Sequence, residues 1–528
     1  MRRFSAVIVC LLLGCSAPED TAGGSTTTDT EPEITCDPPA EVGPAPFVDG
    51  TAAWGLDFRH HAATEFCDIR DTVGGPGVCS FDYDADGDVD LYFVDRAPYA
   101  NRLYRNDGGK LTDVTEATGT GLTDDSHSCL AFDYDADGDL DLFVGNSGED
   151  KLLRNDGGTF SDVTSEAGLV EAGYTTTATA ADIDADGDLD LFVGHLVTPE
   201  TCFQGVCSPP PKVCTSEQNS LYLNVGGKFQ DVTAERGLTQ KEPTLASLFF
   251  DFDADGDVDL FVGNDMGTYN PDRLFKNDGE GHFNDATGGH GLENDGTDTM
   301  GVDVGDADGD GMIDLVVSDF RQLPTRLILC PRLDFPCKMV GINQESTAAV
   351  KWGIALADFD QDLDLDIFTT AGDVEVPAGY TGDLHQLHHN DGKGVFTAYS
   401  PAPTEVLAER HIGRGAAFAD LDGDLDLDVV VANADGPAQI LINEGTSGHA
   451  LMVELDSLSA GARVTVSAKG VERTQVAKIG GSYAGSSDPR VHFGMGETCA
   501  ADVTVEWTDG QKKTLKSVKT GQLVKIDR

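Results

Sequence analysis

The chain has 528 residues, with 92 Asp or Glu against 35 Lys or Arg, for a formal net charge of −57 at pH 7. A surface this acidic excludes nucleic acid and anionic lipid headgroups as partners, and no stretch is long and apolar enough to cross a bilayer as a helix. The acid is not a disordered tail, because seven short loops alone hold 34 of the 92 acidic residues.

Residues 1–14 read as a signal peptide. Arg2 and Arg3 form a basic start, residues 4–13 a short apolar run, and Leu12-Leu13-Gly14-Cys15 closes it. That ending resembles a bacterial lipobox, which implies acylation of Cys15; Ser16 after it implies an outer-membrane lipoprotein. Ordinary secretion, with Cys15 incidental, is the alternative. Residues 15–45 are rich in Thr, Ser, Pro, Gly and acidic residues without apolar periodicity, as expected of a flexible tether. A membrane is expected as a partner only through the lipid.

The body opens with FDYDADGDVDLYFV, residues 81–94. Asp82, Asp84, Asp86 and Asp90 stand at positions 1, 3, 5 and 9 of a tight loop, where four carboxylates converge on one hard cation, and Asp88 at position 7 offers its backbone carbonyl. Without a cation these charges repel. The pattern recurs as Asp133, Asp135, Asp137, Asp139, Asp141; as Asp182, Asp184, Asp186, Asp188, Asp190; and as Asp251, Asp253, Asp255, Asp257, Asp259. It continues as Asp306, Asp308, Asp310, Met312, Asp314; as Asp358, Asp360, Asp362, Asp364, Asp366; and as Asp420, Asp422, Asp424, Asp426, Asp428. Calcium, up to seven ions, is the expected cofactor. An EF-hand needs a bidentate Glu at position 12, and here that position holds Phe93, Val144, Val193, Val262, Val317, Thr369 and Val431. Each loop instead runs into a buried strand such as DLFVG.

Position 6 is Gly87, Gly138, Gly187, Gly256 and Gly311 in the first five loops but Leu363 and Leu425 in the last two. Either those leucines sit in a strained left-handed backbone and weaken their sites, or their loops turn differently and the leucines pack under a neighbouring strand.

The loops begin at 82, 133, 182, 251, 306, 358 and 420. In phase with them runs a second signature, as in LYRNDGGKLTDVTEATGTGL (103–122) and LLRNDGGTFSDVTSEAGL (152–169). Asn-Asp-Gly-Gly between apolar runs marks a hairpin, so each unit offers about four short strands, the content of one propeller blade. The fifth unit has LILCPRLDFPCKMV (327–340) in place of that turn, and its edge is expected to be irregular.

These residues resemble the FG-GAP/VCBS repeats of integrin α-chain heads and bacterial surface proteins. The resemblance implies an all-β fold: a seven-bladed β-propeller over residues 46–445 with a calcium loop in each blade. Residues 446–528 carry 11 Lys or Arg against 9 Asp or Glu, a shift that marks a second, small β-rich domain. Its GARVTV (461–466), GGSYAGSSDPRVHFGMG (480–496) and VEWTDGQKKTL (505–515) look like an ASPIC/UnbV domain. Together the two parts make the chain similar to the cartilage acidic protein family. Ser486 and Ser487 depart from the Gln frequent there.

Beyond Cys10 and Cys15, ten cysteines remain: 36, 67, 79, 129, 202, 207, 214, 330, 337 and 499. No paired CxxC spacing supports zinc, so disulfides are expected in an exported protein. Cys330 and Cys337, seven residues apart across a turn, are the expected pair; Cys79 and Cys129 read as buried thiols. The catalytic candidates are His60, His61, His385, His388, His389 and His411. No nucleophile elbow, HExxH or phosphate loop accompanies them. His61 reads as structural; the 385–389 cluster could bind a transition metal, but three histidines in an irregular acidic loop read rather as solvated, so no catalytic residue is assigned.

Three functions fit. The first is a calcium-dependent binding or adhesion module at the cell surface, taking a protein or glycan on the propeller's open face. The second is a lectin or glycan-active enzyme with a pocket between blades. The third is a scaffold for an outer-surface complex.

Overall fold

The computed structural model describes residues 47–61, 75–170, 172–196, 216–265, 270–288, 292, 298–320, 323–330, 337–342, 349–374, 380–444 and 448–528. The leader, Cys15, the tether, Cys36, Cys67, Cys202, Cys207 and Cys214 lie outside the described residues.

Each 50–60-residue unit folds as four antiparallel strands because its apolar runs are short and separated by turn residues. Blade 1 is Val78–Phe81, Asp90–Phe93, Arg102–Asn106 and Leu111–Asp113, from the axis outward. Six more blades follow, with inner strands Ser126–Phe132, Ala172–Ala181, Thr244–Phe250, Thr299–Gly305, Lys351–Ala357 and Gly413–Ala419. Neighbouring inner strands pack on one another, and the last returns to blade 1. The core lies between blades: Phe93 and Tyr104 of blade 1 share a cluster with Val430 and Ile440 of blade 7. Both faces of a blade are thus buried, which is why the second strands read as continuous apolar runs.

Blade 7 takes its outer strand from the start of the described chain, where Phe47–Asp49 pairs with Gln439–Asn443 and Phe47 faces Asn443. Hydrogen bonds between sequence-distant strands therefore close the ring. Cys79 and Cys129 are bonded to each other. They are not free thiols, because both lie on inner strands of adjacent blades with Cα atoms 6.1 Å apart, within disulfide reach. Cys330 and Cys337 form the expected pair. The edge of blade 5 is regular: Arg326–Leu329 pairs with Lys338–Gly341 without a register shift, the disulfide tying the hairpin that lacks an Asn-Asp-Gly-Gly turn. Cys499 is also disulfide-bonded.

The asparagine of the second signature does more than turn a hairpin. Asn106 donates its side-chain amide to Val89 O in its own loop and, at 2.8 Å, to Leu421 O in the neighbouring blade. Asn155, Asn224, Asn277, Asn390 and Asn443 bridge in the same way to Tyr83, Tyr134, Ile183, Ala307 and Phe359. Each buried amide thus latches one acidic loop to the next.

The C-terminal residues build two sheets. His449–Leu455 runs between Val491–Gly496 and Gln522–Ile526; Arg463–Ala468 and Ala500–Glu506 pair centrally, flanked by Val471–Val476 and Lys512–Lys519. Their shared core includes Leu451, Val464, Phe493, Val503 and Trp507. This unit rests on the end of the propeller that carries the acidic loops, and its segment 479–488 enters the axis. There Ile479 O accepts from Ala180 N, Ser482 exchanges backbone bonds with Val302, Ala484 O accepts from Cys129 N and Ser486 O from Ser80 N. The hydroxyls of Ser486 and Ser487 accept from Ala131 N and Phe418 N, and that of Ser482 donates to Ala416 O. The plug thus satisfies inner-strand amides that would otherwise line a channel unpaired. A Cβ on Gly485 would stand 2.0 Å from Val78 O, so only glycine fits there. Tyr483 is buried at the tip, 4.9 Å from the Trp352 ring. The open axial face expected from sequence is therefore closed at this end.

Candidate metal centres

All seven acidic loops connect an inner strand to the second strand of its blade, and they share one backbone. In loop 1, Asp82 accepts Asp86 N and Gly87 N (3.2 and 2.9 Å), while Asp86 accepts Asp88 N at 2.9 Å. The ninth-position Asp90 accepts Tyr83 N at 3.0 Å and Asn106 N at 2.8 Å. These bonds fix the carboxylates and leave lone pairs facing inward. Loops 2, 3 and 4 repeat the first- and ninth-position contacts. In loops 1 and 4 oxygens of the first, third and fifth residues lie within 4.8 Å of one another; in loops 2 and 3 the first, third and ninth do.

The third-position carboxylate is left over. Oδ1 of Asp84, Asp135, Asp184, Asp253 and Asp360 is buried with no hydrogen-bond partner, and loop 5 has the same condition at Asp306 Oδ1. A buried acceptor without a donor is costly, and here it recurs at one site in repeat after repeat, beside other carboxylates. Burial, with like charge as a smaller cause, raises Asp90, Asp141, Asp190, Asp259 and Asp314 to about 8. The donor set is all-oxygen, clustered, partly desolvated and short of positive charge, which fits a hard divalent cation.

The seventh-position side chains have another task. Asp88, Asp139 and Asp188 accept from Gly108 N, Gly157 N and Gly226 N, tying the hairpin turn to the loop; only their carbonyls remain for an ion.

The leucines keep the left-handed turn of the glycines they replace, so their loops do not turn differently, and they are packed as well. Leu363 has φ 84° and Leu425 φ 73°, so each sits in the left-handed region. Leu363 also packs against the C-terminal core and Leu425 against the cluster around Phe359 and Phe418. Arg473 Nε donates to Leu363 O at 2.7 Å, and His492 Nε2 lies 3.0 Å from Leu425 O. Gly496 N donates to Gln361 O at 2.9 Å. Loops 6 and 7 are docking surfaces as well as acidic clusters.

The histidines divide. His385 and His388 are buried at the third strand of blade 6, Gln386–Asn390, not solvated in an irregular loop. That strand alternates, placing His388 inward and His389 toward loop 6. Burial lowers His385 and His388 to about 4. At the far end of the propeller, His61 Nδ1 lies 2.7 Å from buried Asp95 and stacks on Tyr99 at 3.5 Å, while His60 is buried and lowered to about 3. His411 Nε2 lies 2.9 Å from Gln439 Nε2.

Residues 82–144, 133–193 and 251–317 match the FG-GAP-like repeat family, and residues 456–528 match ASPIC and UnbV. The chain is an FG-GAP repeat protein with an ASPIC/UnbV domain. This FG-GAP–ASPIC/UnbV chain is homologous to cartilage acidic protein 1. It is 26% identical to the Homo sapiens protein over 307 residues, 56% of this chain and 45% of that one. To the Xenopus tropicalis protein it is 25% identical over 276 residues, 50% and 41% of the two chains. It thus spans less than half the length of these curated relatives. Among solved structures, an Agrocybe aegerita lectin described with non-reducing terminal N-acetylglucosamine aligns with 68% of this chain and 91% of its own, at TM-score 0.38 and 17% identity. YCF48 bound to D1 peptide aligns with 77% of this chain and 99% of its own, at TM-score 0.41 and 10% identity. Among the described residues no helix is long and apolar enough to cross a membrane.

Sequence reasoning missed the latch asparagines, the plug and the residue preceding each latch. The first and last were present as in-phase letters of the repeat; the plug lay within the GGSYAGSSDPRVHFGMG signature, but nothing local showed that it enters the axis.

Proposed function

We propose that this protein is an exported, calcium-loaded binding or adhesion module, held at the bacterial outer membrane through Cys15 and presenting a protein- or glycan-binding surface away from the ASPIC/UnbV domain. The observation that carries the calcium assignment is the buried, partnerless Oδ1 that recurs among clustered carboxylates from loop to loop. Calcium takes six to eight oxygen ligands in flexible geometry, and four carboxylates with one carbonyl supply most of that shell. The ion would offset much of each loop's charge and stiffen it, and the latch asparagines would pass that rigidity to the next blade. With the acidic-loop end capped by segment 479–488, the far face and the rim remain for a partner. No arrangement of nucleophile and base among the described residues favours an enzyme.

Equilibrium dialysis of the mature protein against calcium, followed by elemental analysis, tests the assignment: several ions per chain are expected, and none would overturn it. Binding to a glycan array and to envelope proteins, each with calcium and with chelator, tests the module. Calcium-dependent capture without product formation is expected; turnover of a bound glycan would favour the enzyme instead.

A further inference from the structure

One position distinguishes the loops of the six blades that carry a latch asparagine. The residue before each latch asparagine is Arg105, Arg154, Leu223, Lys276, His389 or Ile442, on the third strand of its blade. In blades 1 and 2 the guanidinium turns away to Asp107 and Asp156, at 2.9 and 3.0 Å. In blade 4 the Lys276 ammonium enters the loop, contacting Asp253 and lying 2.8 Å from Asp255. An ammonium supplies charge but has no lone pair, so it substitutes for a cation and cannot bind one.

Blade 6 places an imidazole there. His389 Nδ1 lies 3.0 Å from Asp360 Oδ2 and 3.5 Å from Asp366 Oδ2, and ligand atoms of the three residues all lie within 4.8 Å of one another. The three come from different elements: Asp360 from the loop, Asp366 from the start of the second strand, His389 from the third. Asp366 is buried and oriented by Asn390 N at 2.9 Å and Phe359 N at 3.3 Å. Asp360 Oδ1 is buried with no hydrogen-bond partner. The Tyr399 ring meets the imidazole edge-on at 6.0 Å. Oriented ligands of this kind characterise metal sites, where hydrogen bonds behind the ligand set its direction.

A nitrogen donor changes which ion is preferred. Calcium and magnesium take oxygen almost exclusively, whereas imidazole suits zinc, copper, iron and nickel, and affinity for a mixed nitrogen–oxygen set rises along the first-row divalent series. We propose that loop 6 is a transition-metal site, in which Asp360, Asp366 and His389 bind a first-row divalent cation of the zinc class while sister loops that no cationic side chain enters take calcium. The proposal rests on the reading of these loops as cation sites but does not need the other six to be filled.

The test uses the full mature chain, equilibrated with millimolar Ca2+ and a slight excess of Zn2+, gel-filtered and analysed for both elements, beside His389→Leu, which installs the residue blade 3 carries. One zinc per chain is expected in the wild type, with zinc retention falling at least tenfold in the variant and the calcium count unchanged. Cu2+ loaded in zinc's place should show nitrogen hyperfine coupling in its electron paramagnetic resonance spectrum, lost in the variant. Zinc absent from the wild type, or retained equally by both proteins, overturns the proposal and leaves His389 as a counter-charge like Lys276. Should the variant fail to fold, the wild-type copper spectrum decides alone, since absence of nitrogen coupling overturns the site. Zinc retained at loop 6 with no calcium anywhere would instead overturn the calcium assignment and leave this proposal standing.

Discussion

Loops 1–3 and loops 6–7 are the same acidic turn put to different uses. At position 6 the first group has Gly87, Gly138 and Gly187, with nothing within 4 Å of where a Cβ would stand; the second has leucines in the same left-handed region, pressed into apolar clusters. A leucine there costs about 1–2 kcal/mol more than glycine. Half-burying it in an interface, as at Leu363 and Leu425, returns about half of the 1.5–3 kcal/mol of full burial, so strain persists where docking offsets it. The comparison teaches that one acidic turn serves two uses, and that the C-terminal domain has claimed part of the ring as its seat.

The strongest way to break this comparison is to empty the plug. Tyr483→Ala removes the aromatic tip packed on Trp352 and should cost about 3–5 kcal/mol, read as a lower thermal midpoint and faster proteolysis of the ASPIC/UnbV domain. A melting curve unchanged from wild type would mean that the plug is passive. Nearly as large, losing the Cys79–Cys129 bridge, with a sequence separation of 50, should cost about 4 kcal/mol. The Cys330–Cys337 bridge, with a separation of 7, should cost roughly 2.5 kcal/mol by the same loop-entropy relation. Denaturant titrations of the two Cys→Ser pairs check the order.

A third test uses pH. Ninth-position carboxylates such as Asp90 and Asp141 sit at about 8 when no cation is present, above the ordinary value near 3.9. In chelator the folded protein then binds more protons than the unfolded chain, so stability falls as pH rises from 6.5 to 8.5. The buried imidazoles, such as His492 at about 4, act in the opposite sense, but below pH 6.5. Saturating calcium should abolish the slope, and a chelated protein that gains stability over this window would contradict the carboxylate account.

The smallest effect sharpens the comparison most. The Leu363→Gly, Leu425→Gly double variant relieves strain but loses packing, so the two nearly cancel and a net change of no more than about 1 kcal/mol is expected. Calcium affinity at these loops should stay unchanged or weaken. Tighter binding would mean that strain, not docking, governs the sites.

How much of this was legible in the sequence depends on distance along the chain. Each loop's ligands lie within nine residues, so spacing alone exposed them, and the paired signatures exposed the blades. The pairing of Phe47–Asp49 with blade 7 and the seating of segment 479–488 depend on contacts between residues hundreds apart, which no local pattern encodes. Asn106 and His389 fall between these cases. Their letters were in phase with the repeat, but only the fold shows that one donates to the next blade and the other faces Asp360. The cysteines show the same limit: Cys330 and Cys337 are close in sequence, whereas Cys79 and Cys129 meet only because their strands are neighbours around the ring.

The central claim is that bound calcium holds the ring together, and thermal unfolding of the mature protein in calcium and in EGTA tests it most directly. A ligand that binds only the native state adds about 2.7 kcal/mol per site at a hundredfold excess over its Kd, so a few sites rival the roughly 5–15 kcal/mol net stability of a domain. The account predicts a midpoint well below the calcium-loaded value in EGTA, restored by re-addition of calcium; superimposable curves would contradict it.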